Sequence, residues 1–111
     1  MEAYRDYLRR HPEELSVARH LCRVTISRFN RDRDVFGYLA DHVIPELAAR
    51  AAAHRPLRLT AWSVGCASGE EPYTLALFWY FLLAGRLPGF SLRILGTDID
   101  EVLLALSLIH I

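Results

Sequence analysis

The sequence predicts an α/β fold in which crossover helices join parallel strands. Three observations carry that prediction. Residues 57–64 and 91–96 each read as a short strand, with an apolar helical stretch between them. The first strand runs into a turn of small residues, Gly65-Cys66-Ala67-Ser68-Gly69, and the second runs into Thr97-Asp98. Upstream of both strands, apolar residues recur at helical spacing. Two strands joined through a helix are expected to pair in parallel, because a parallel connection needs a dozen or more residues and a helix fills it.

Each element has its own signal. His11-Pro12-Glu13-Glu14 opens a helix, with proline in the first turn and acids near the positive end of the dipole. Leu15, Ala18 and Cys22 follow on one face, giving an amphipathic helix over 12–22. Residues 24–32 are polar, break the period and read as a loop. Asp34 is a candidate cap for a helix that aligns Val35, Phe36, Leu39 and Val43. Pro45 either ends or kinks that helix, or opens a second one carrying Leu47, Ala48 and Ala51, which His54-Arg55-Pro56 terminates. After the first strand and its turn, Glu70-Glu71-Pro72 starts a helix that continues to Leu83, with Gly85 as the stop. That helix is apolar almost all round, so it is expected to be buried between other elements. Pro88-Gly89 turns the chain into the second strand, and Asp98-Ile99-Asp100-Glu101 opens a last helix.

Composition bounds the function. At 111 residues the chain allows one domain at most, burying roughly 65% of its unfolded surface. A 52% hydrophobic content with 11% aromatics excludes a disordered chain. The formal net charge is zero, which argues against non-specific binding to nucleic acid or to a membrane surface. All 13 basic residues are arginines, and eight of them fall within residues 1–33 against five acids, so the amino-terminal third is the basic part. The first residues lack a secretory pattern, and the apolar run over 73–85 is too short for a bilayer span of about 20 residues. Cys22 and Cys66 have no metal-ligand or disulfide spacing, and His11, His20, His42, His54 and His110 have no common metal spacing. A reduced, cytoplasmic protein is the expectation.

The glycine turn and the acid after it carry the chemistry. A strand entering a glycine turn that feeds a helix lets the backbone approach a ligand and presents unpaired N–H groups to it. Gly65 opens such a turn here, yet the full G-x-G-x-x-G spacing of dinucleotide binders is missing, which counts against a nicotinamide-dependent oxidoreductase. Glu70 and Glu71 stand at the helix mouth, where two carboxylates repel phosphate but accept hydrogen bonds or hold a cation. A ligand with a ribose, a base and a positive charge but no phosphate fits, and S-adenosylmethionine has those properties. Asp98, at the end of the second strand, is placed to take ribose hydroxyls. The blander readings are an ordinary strand–helix connection and, for Asp98, a cap on a helix over 99–106.

At this point three strings resemble one family. Trp62-Ser63-Val64-Gly65-Cys66-Ala67-Ser68-Gly69-Glu70-Glu71-Pro72-Tyr73 strongly resembles the first motif of CheR-type chemotaxis protein methyltransferases, and its Gly-Glu-Glu-Pro-Tyr end is unusual among methyltransferases. Ile94-Leu95-Gly96-Thr97-Asp98-Ile99-Asp100 is similar to the family's second strand. Ser27-Arg28-Phe29-Asn30-Arg31-Asp32 is similar to its upstream Thr-x-Phe-Phe-Arg-Asp motif. The likeness covers residues 24–105. It implies a Rossmann-like S-adenosylmethionine-dependent methyltransferase fold, truncated, and preceded by the remnant of a small helical domain. The division it implies is a helical segment over 1–23, the first part of a catalytic domain over 24–106 and an atypical tail over 107–111.

The resemblance also implies an activity, methyl transfer from S-adenosylmethionine to glutamate side chains of chemoreceptors. The partner would then be a protein substrate, the cytoplasmic region of a chemoreceptor, with no nucleic acid and no membrane insertion. Glu71 and Asp98 match acids that contact the cofactor, and Arg31 matches an arginine near both the cofactor and the reacting carboxylate. Thr25 and Ser27 match polar positions that touch the cofactor, where the family commonly has Asn and Thr. The sequence departs from the pattern at Asn30, which replaces the second Phe, and over 106–111. The family's later strands, its second cofactor-binding region and its Tyr-Phe motif are absent. The chain is therefore read as a fragment, poorly stable and inactive alone. The alternative is a CheR-like module that binds the cofactor without turnover. Trp62 and Trp79 read as core, Cys66 as a buried filler, and Tyr73 as a packing residue.

Overall fold

The computed structural model describes residues 2–21 and 26–108. Helix α1 spans Glu2–Arg10 and α2 spans Pro12–Leu21, and the two pack on each other. No capping or periodicity signal marked α1 in the sequence, though it falls within the helical segment the resemblance implies over 1–23; Arg9 and Arg10 in its last turn suit the negative end of the dipole. The aromatic rings of Tyr4, Tyr7 and His11 stack along this arm, with centroids 6.5 and 4.3 Å apart. Cys22 and Thr25 lie outside the described residues.

Helix α3 spans Arg33–Tyr38, passes through a wide π-helical turn at Leu39–Val43, and continues as α4 over Ile44–Ala51. Its cap position is held by Asp32 rather than the expected Asp34, and no side chain caps it: the Asp32 carbonyl accepts the N–H groups of Val35 and Phe36 at 2.9 and 3.1 Å. Pro45 neither ends nor breaks the run. It sits in the first turn of α4, directly after the wide turn, a position where a missing N–H is tolerated.

Strand β1 (Arg58–Val64) and strand β2 (Ser91–Thr97) form a two-stranded parallel sheet, with Trp62 opposite Leu95 and Val64 opposite Thr97. Between them runs α5 (Glu70–Phe78), extended by a second π-helical turn at Trp79–Leu83. Helix α6 (Glu101–Leu108) follows β2. The core lies where the two π-helical turns meet: Ala40, Ile44 and Leu83 are buried together, with Leu59, Leu75, Phe78 and Trp79 packed around them. The Phe36 and Phe78 rings, 5.6 Å apart, join α3 to α5.

Two expectations about burial need correction. The α5 run is not enclosed, since Tyr80 and Phe81 are 74% and 71% exposed. Trp62 is not core either, at 66% exposed, because it projects from the sheet face that carries Arg58, Thr60 and Val64, and among the described residues no helix covers that face. Only the opposite face, with Leu59, Ala61 and Ser63, meets the helices. Trp79 does pack against the core as expected.

Candidate functional site

The site forms at the carboxyl ends of the strands. Gly65 takes a left-handed φ of 76°, which lets its N–H and that of Cys66 both reach the Thr97 carbonyl, at 2.7 and 3.0 Å. The turn is thus tied to the end of β2. Ala67 is also left-handed, with φ 48°, and its N–H donates to Asp98 Oδ2 at 2.7 Å. Gly69, with φ 99°, stands at the start of α5 and is hemmed in: a Cβ there would sit 2.9 Å from Ser107 Cβ and 3.1 Å from the Tyr73 ring.

Each acid has a distinct place. The other oxygen of Asp98 accepts the Asp100 N–H at 2.7 Å, so this side chain joins the turn to the segment after β2. The cap on α6 is Asp100 and not Asp98, since Asp100 Oδ1 accepts the N–H groups of Val102 and Leu103 at 3.1 and 3.2 Å. The geometry is that of an Asx N-cap, with N–H donors two and three residues on. Glu71 Oε1 accepts the Ser63 hydroxyl at 2.5 Å. Glu70 accepts two hydroxyls, Ser68 at 2.6 Å and Ser27 at 2.8 Å. Burial pushes the Glu70 carboxyl up, but the bonds from Ser68 and Ser27 outweigh it and hold the group below its usual range.

The upstream loop closes the other side. Arg31 donates to the Ile26 carbonyl at 2.7 Å, folding residues 26–31 on themselves. The Asn30 N–H donates to Thr74 Oγ1 on α5 at 2.9 Å. Asn30, where the family pattern has Phe, takes a left-handed φ of 51°, a conformation that asparagine tolerates better than most residues.

Between these parts lies a cleft of about 370 Å³. It brings together Ser27, Arg31, Gly65, Glu71 and Asp98, five residues the sequence singled out. Thr25 falls outside the described residues. The sequence reading missed Asp100 and the apolar wall of Ile26, Phe36 and Leu103. Asp100 was legible as a second acid two residues after Asp98; the apolar wall was not, because its members come from three separate segments.

Cys66 is 1% exposed, and a Cβ on Gly96 would approach its sulfur to 3.1 Å. Burial, the largest influence, pushes its thiol up despite a hydrogen bond with Ser107, so it stays protonated at neutral pH and is a filler. Tyr73 packs its ring against Gly69 and does not line the cleft. No group of three or more His, Cys, Asp or Glu side chains able to hold a metal occurs among the described residues.

The chemistry of the cleft is set by where the hydroxyl hydrogens go. Ser27 gives its hydrogen to Glu70 and Ser63 gives its hydrogen to Glu71, so the rim presents lone pairs on Ser27, Glu71 and Asp98. Ribose hydroxyls, an ammonium and a sulfonium suit such a wall, and a phosphate does not. The residues present therefore fit S-adenosylmethionine.

A parallel pair of strands with a glycine turn and an acid-rimmed cleft at their carboxyl ends is the opening of a Rossmann-like nucleotide-binding unit. The family profile described as "CheR methyltransferase, SAM binding domain" matches residues 25–107, and the chain belongs to that family. S-adenosylmethionine is the family's cofactor. A probable chemotaxis protein methyltransferase of Rhizobium etli is 38% identical over 81 residues, 73% of this chain and 29% of that protein. Chemotaxis protein methyltransferase 2 of Pseudomonas aeruginosa is 33% identical over 97 residues, 87% of this chain and 32% of that protein. An uncharacterized 104.1 kDa protein of Rhodobacter capsulatus is 39% identical over 104 residues, 92% of this chain but 10% of its own length. The chain thus spans from a tenth to about a third of these relatives. No helix among the described residues is long and apolar enough to cross a membrane.

Proposed function

We propose that the chain is the cofactor-binding part of a Rossmann-like methyltransferase that esterifies a protein carboxylate, the glutamate side chain of a chemoreceptor-type substrate. The observation that carries this reading is the cleft itself, which gathers Ser27, Arg31, Gly65, Glu71 and Asp98 from four separate stretches of chain around an acceptor-rich rim. Asp98 and Glu71 would hold the donors of S-adenosylmethionine, Ser27 would add a further acceptor, and Gly65 would leave the backbone open. Apart from its chain neighbours, no atom of the described residues lies within 4 Å of a Cβ built on Gly65, which leaves that side of the turn open to a ligand.

When bound, the cofactor supplies an electrophilic methyl group. A carboxylate needs no base to attack it, so the protein's task is positioning and charge placement. Arg31 lines the cleft with one guanidinium N–H committed to Ile26, which leaves further donors of the same planar fork to orient an incoming carboxylate. The amino-terminal third, with eight arginines against five acids over residues 1–33, fits an acidic protein partner.

The test has two arms. Calorimetry compares S-adenosylhomocysteine with NAD, and transfer of a labelled methyl group to receptor glutamates is compared between the complete protein and its Arg31→Ala variant. The expected result is selective binding of S-adenosylhomocysteine, with transfer lost in the variant while binding persists. Equal binding of NAD, or full-rate transfer by Arg31→Ala, would sink the reading. The match to a tenth of a 104.1 kDa protein favours one second reading, a cofactor-binding signalling module within a larger chain. Tight binding with no transfer to any carboxylate is its signature.

A further inference from the structure

Glu70 does not line the cleft, yet it touches both of its walls. One carboxylate oxygen takes the hydroxyl of Ser27, at the start of the upstream loop, and the other takes that of Ser68, in the glycine turn. Four residues along the same helix, Thr74 is 2% exposed and its hydroxyl donates to the Glu70 carbonyl at 2.6 Å. That orientation turns the Thr74 lone pairs outward, where they accept the Asn30 N–H. The opening of α5 therefore grips the loop at Ser27 and at Asn30, and Arg31 is the next residue. Arg31 is itself bonded back to Ile26, which closes residues 26–31 into a loop. An acid that served only the helix dipole would not need bonds to two serines, one of them 43 residues away.

We propose that Glu70 is a positioning residue for this site: through Ser27 it locks the loop that carries Arg31 against α5, and it fixes the Ser27 hydroxyl so that only lone pairs face the cleft. The proposal rests on reading the cleft as the cofactor site. It assigns a role to the first glutamate of the Glu70-Glu71 pair different from that of the second. Glu71 faces the ligand, whereas Glu70 faces the loop.

The experiment uses the full chain as wild type, Glu70→Ala, Ser27→Ala, Ser27→Thr, Ser68→Ala and the Ser27→Ala/Glu70→Ala double variant. Two quantities are measured: the rate of tryptic cleavage after Arg28 and Arg31 relative to cleavage after Arg58, and the Kd for S-adenosylhomocysteine by calorimetry. Glu70→Ala and Ser27→Ala are each expected to raise both by roughly five- to tenfold, the value of about one hydrogen bond. The double variant should go no further than the larger single, Ser27→Thr should restore both readouts, and Ser68→Ala should leave loop cleavage at the wild-type rate. Additive losses in the double variant overturn the proposal, as does loop opening in Ser68→Ala equal to that in Glu70→Ala. If Glu70→Ala does not fold, the Ser27→Ala and Ser27→Thr pair decides the matter from the loop side. Failure of the wild type to bind S-adenosylhomocysteine sinks the cofactor reading, while loop cleavage still decides whether Glu70 holds the loop.

Discussion

Asp98 Oδ2 accepts the backbone N–H of Ala67 at 2.7 Å, across 31 positions of sequence. Its partner oxygen takes the Asp100 N–H at the same distance, so both oxygens are already engaged in building the site that they line. On the proposed reading, stability and ligand binding are coupled through this one side chain. An asparagine there offers one acceptor and one NH2 group, which would face an N–H. Asp98→Asn is expected to cost about 1–3 kcal/mol of stability through that unpaired donor. It should also weaken S-adenosylhomocysteine by at least about tenfold, the loss of a charge-assisted bond. Urea unfolding and calorimetry on the same preparations check both. An unfolding midpoint equal to wild type would show that the Ala67 contact does not matter.

The two glycines of the turn should respond differently to the same added methyl group. Gly65 and Gly69 are both left-handed, so alanine strains either backbone by about 1 kcal/mol. At Gly65 nothing else is in the way, whereas at Gly69 the new Cβ meets Ser107 at 2.9 Å and the Tyr73 ring at 3.1 Å. Gly69→Ala is expected to lose a further 1–3 kcal/mol or so by overpacking. Gly65→Ala should keep most of its stability and lose affinity instead, because its methyl group enters the cleft. Thermal unfolding together with ligand titration separates the two. Equal destabilisation of both variants would contradict the packing of α6 on the turn.

How much of this was readable in advance follows from where each signal resides. The strand pair, the glycine turn and α5 were legible because each is a local pattern: alternation, small residues, acids with proline at a helix start. The place of Asp98 was legible from its offset to the second strand, whereas spacing put Glu70 and Glu71 together at the helix mouth and only the resemblance singled out Glu71. The exposure of Trp62 and Phe81 was not, since an apolar side chain carries no information about which neighbours will cover it. Glu70 could not be told from Glu71 for a related reason. Two adjacent glutamates look alike in sequence, and only the fold shows that one meets Ser63 while the other meets Ser27. The π-helical turn before Pro45 has a local cause, but proline marks a disturbance without saying whether the helix stops or widens.

Cys66 should behave as an inert thiol. It is enclosed among Gly96, Pro72 and Ser107, and burial raises its pKa, so neither access nor thiolate is available to an alkylating reagent. Iodoacetamide at neutral pH is expected to modify Cys66 only as fast as the chain unfolds, and a bound ligand should slow it further. Mass spectrometry of the peptide containing Cys66, with and without S-adenosylhomocysteine, reads this directly. Rapid labelling of the folded chain would mean that the turn opens without global unfolding.

Glu70 predicts a pH dependence whose sign can be worked out. Burial acts to raise its pKa, but hydrogen bonds from Ser68 and Ser27 prevail and the folded value lies below the unfolded one. A depressed folded pKa means that the stabilisation is complete above the unfolded value and disappears as pH falls through the folded one. For a glutamate this window lies below about pH 4. Glu70→Gln cannot titrate, and its amide nitrogen would face one of the two serine hydroxyls. Wild type should therefore be more stable than Glu70→Gln at neutral pH, and the gap should narrow steadily as the pH is lowered through that window. Urea midpoints measured for both proteins from neutral to acid pH give the comparison. Parallel curves would show that the Glu70 carboxylate contributes nothing specific through its charge, leaving the serine bonds no stronger than those of a neutral amide.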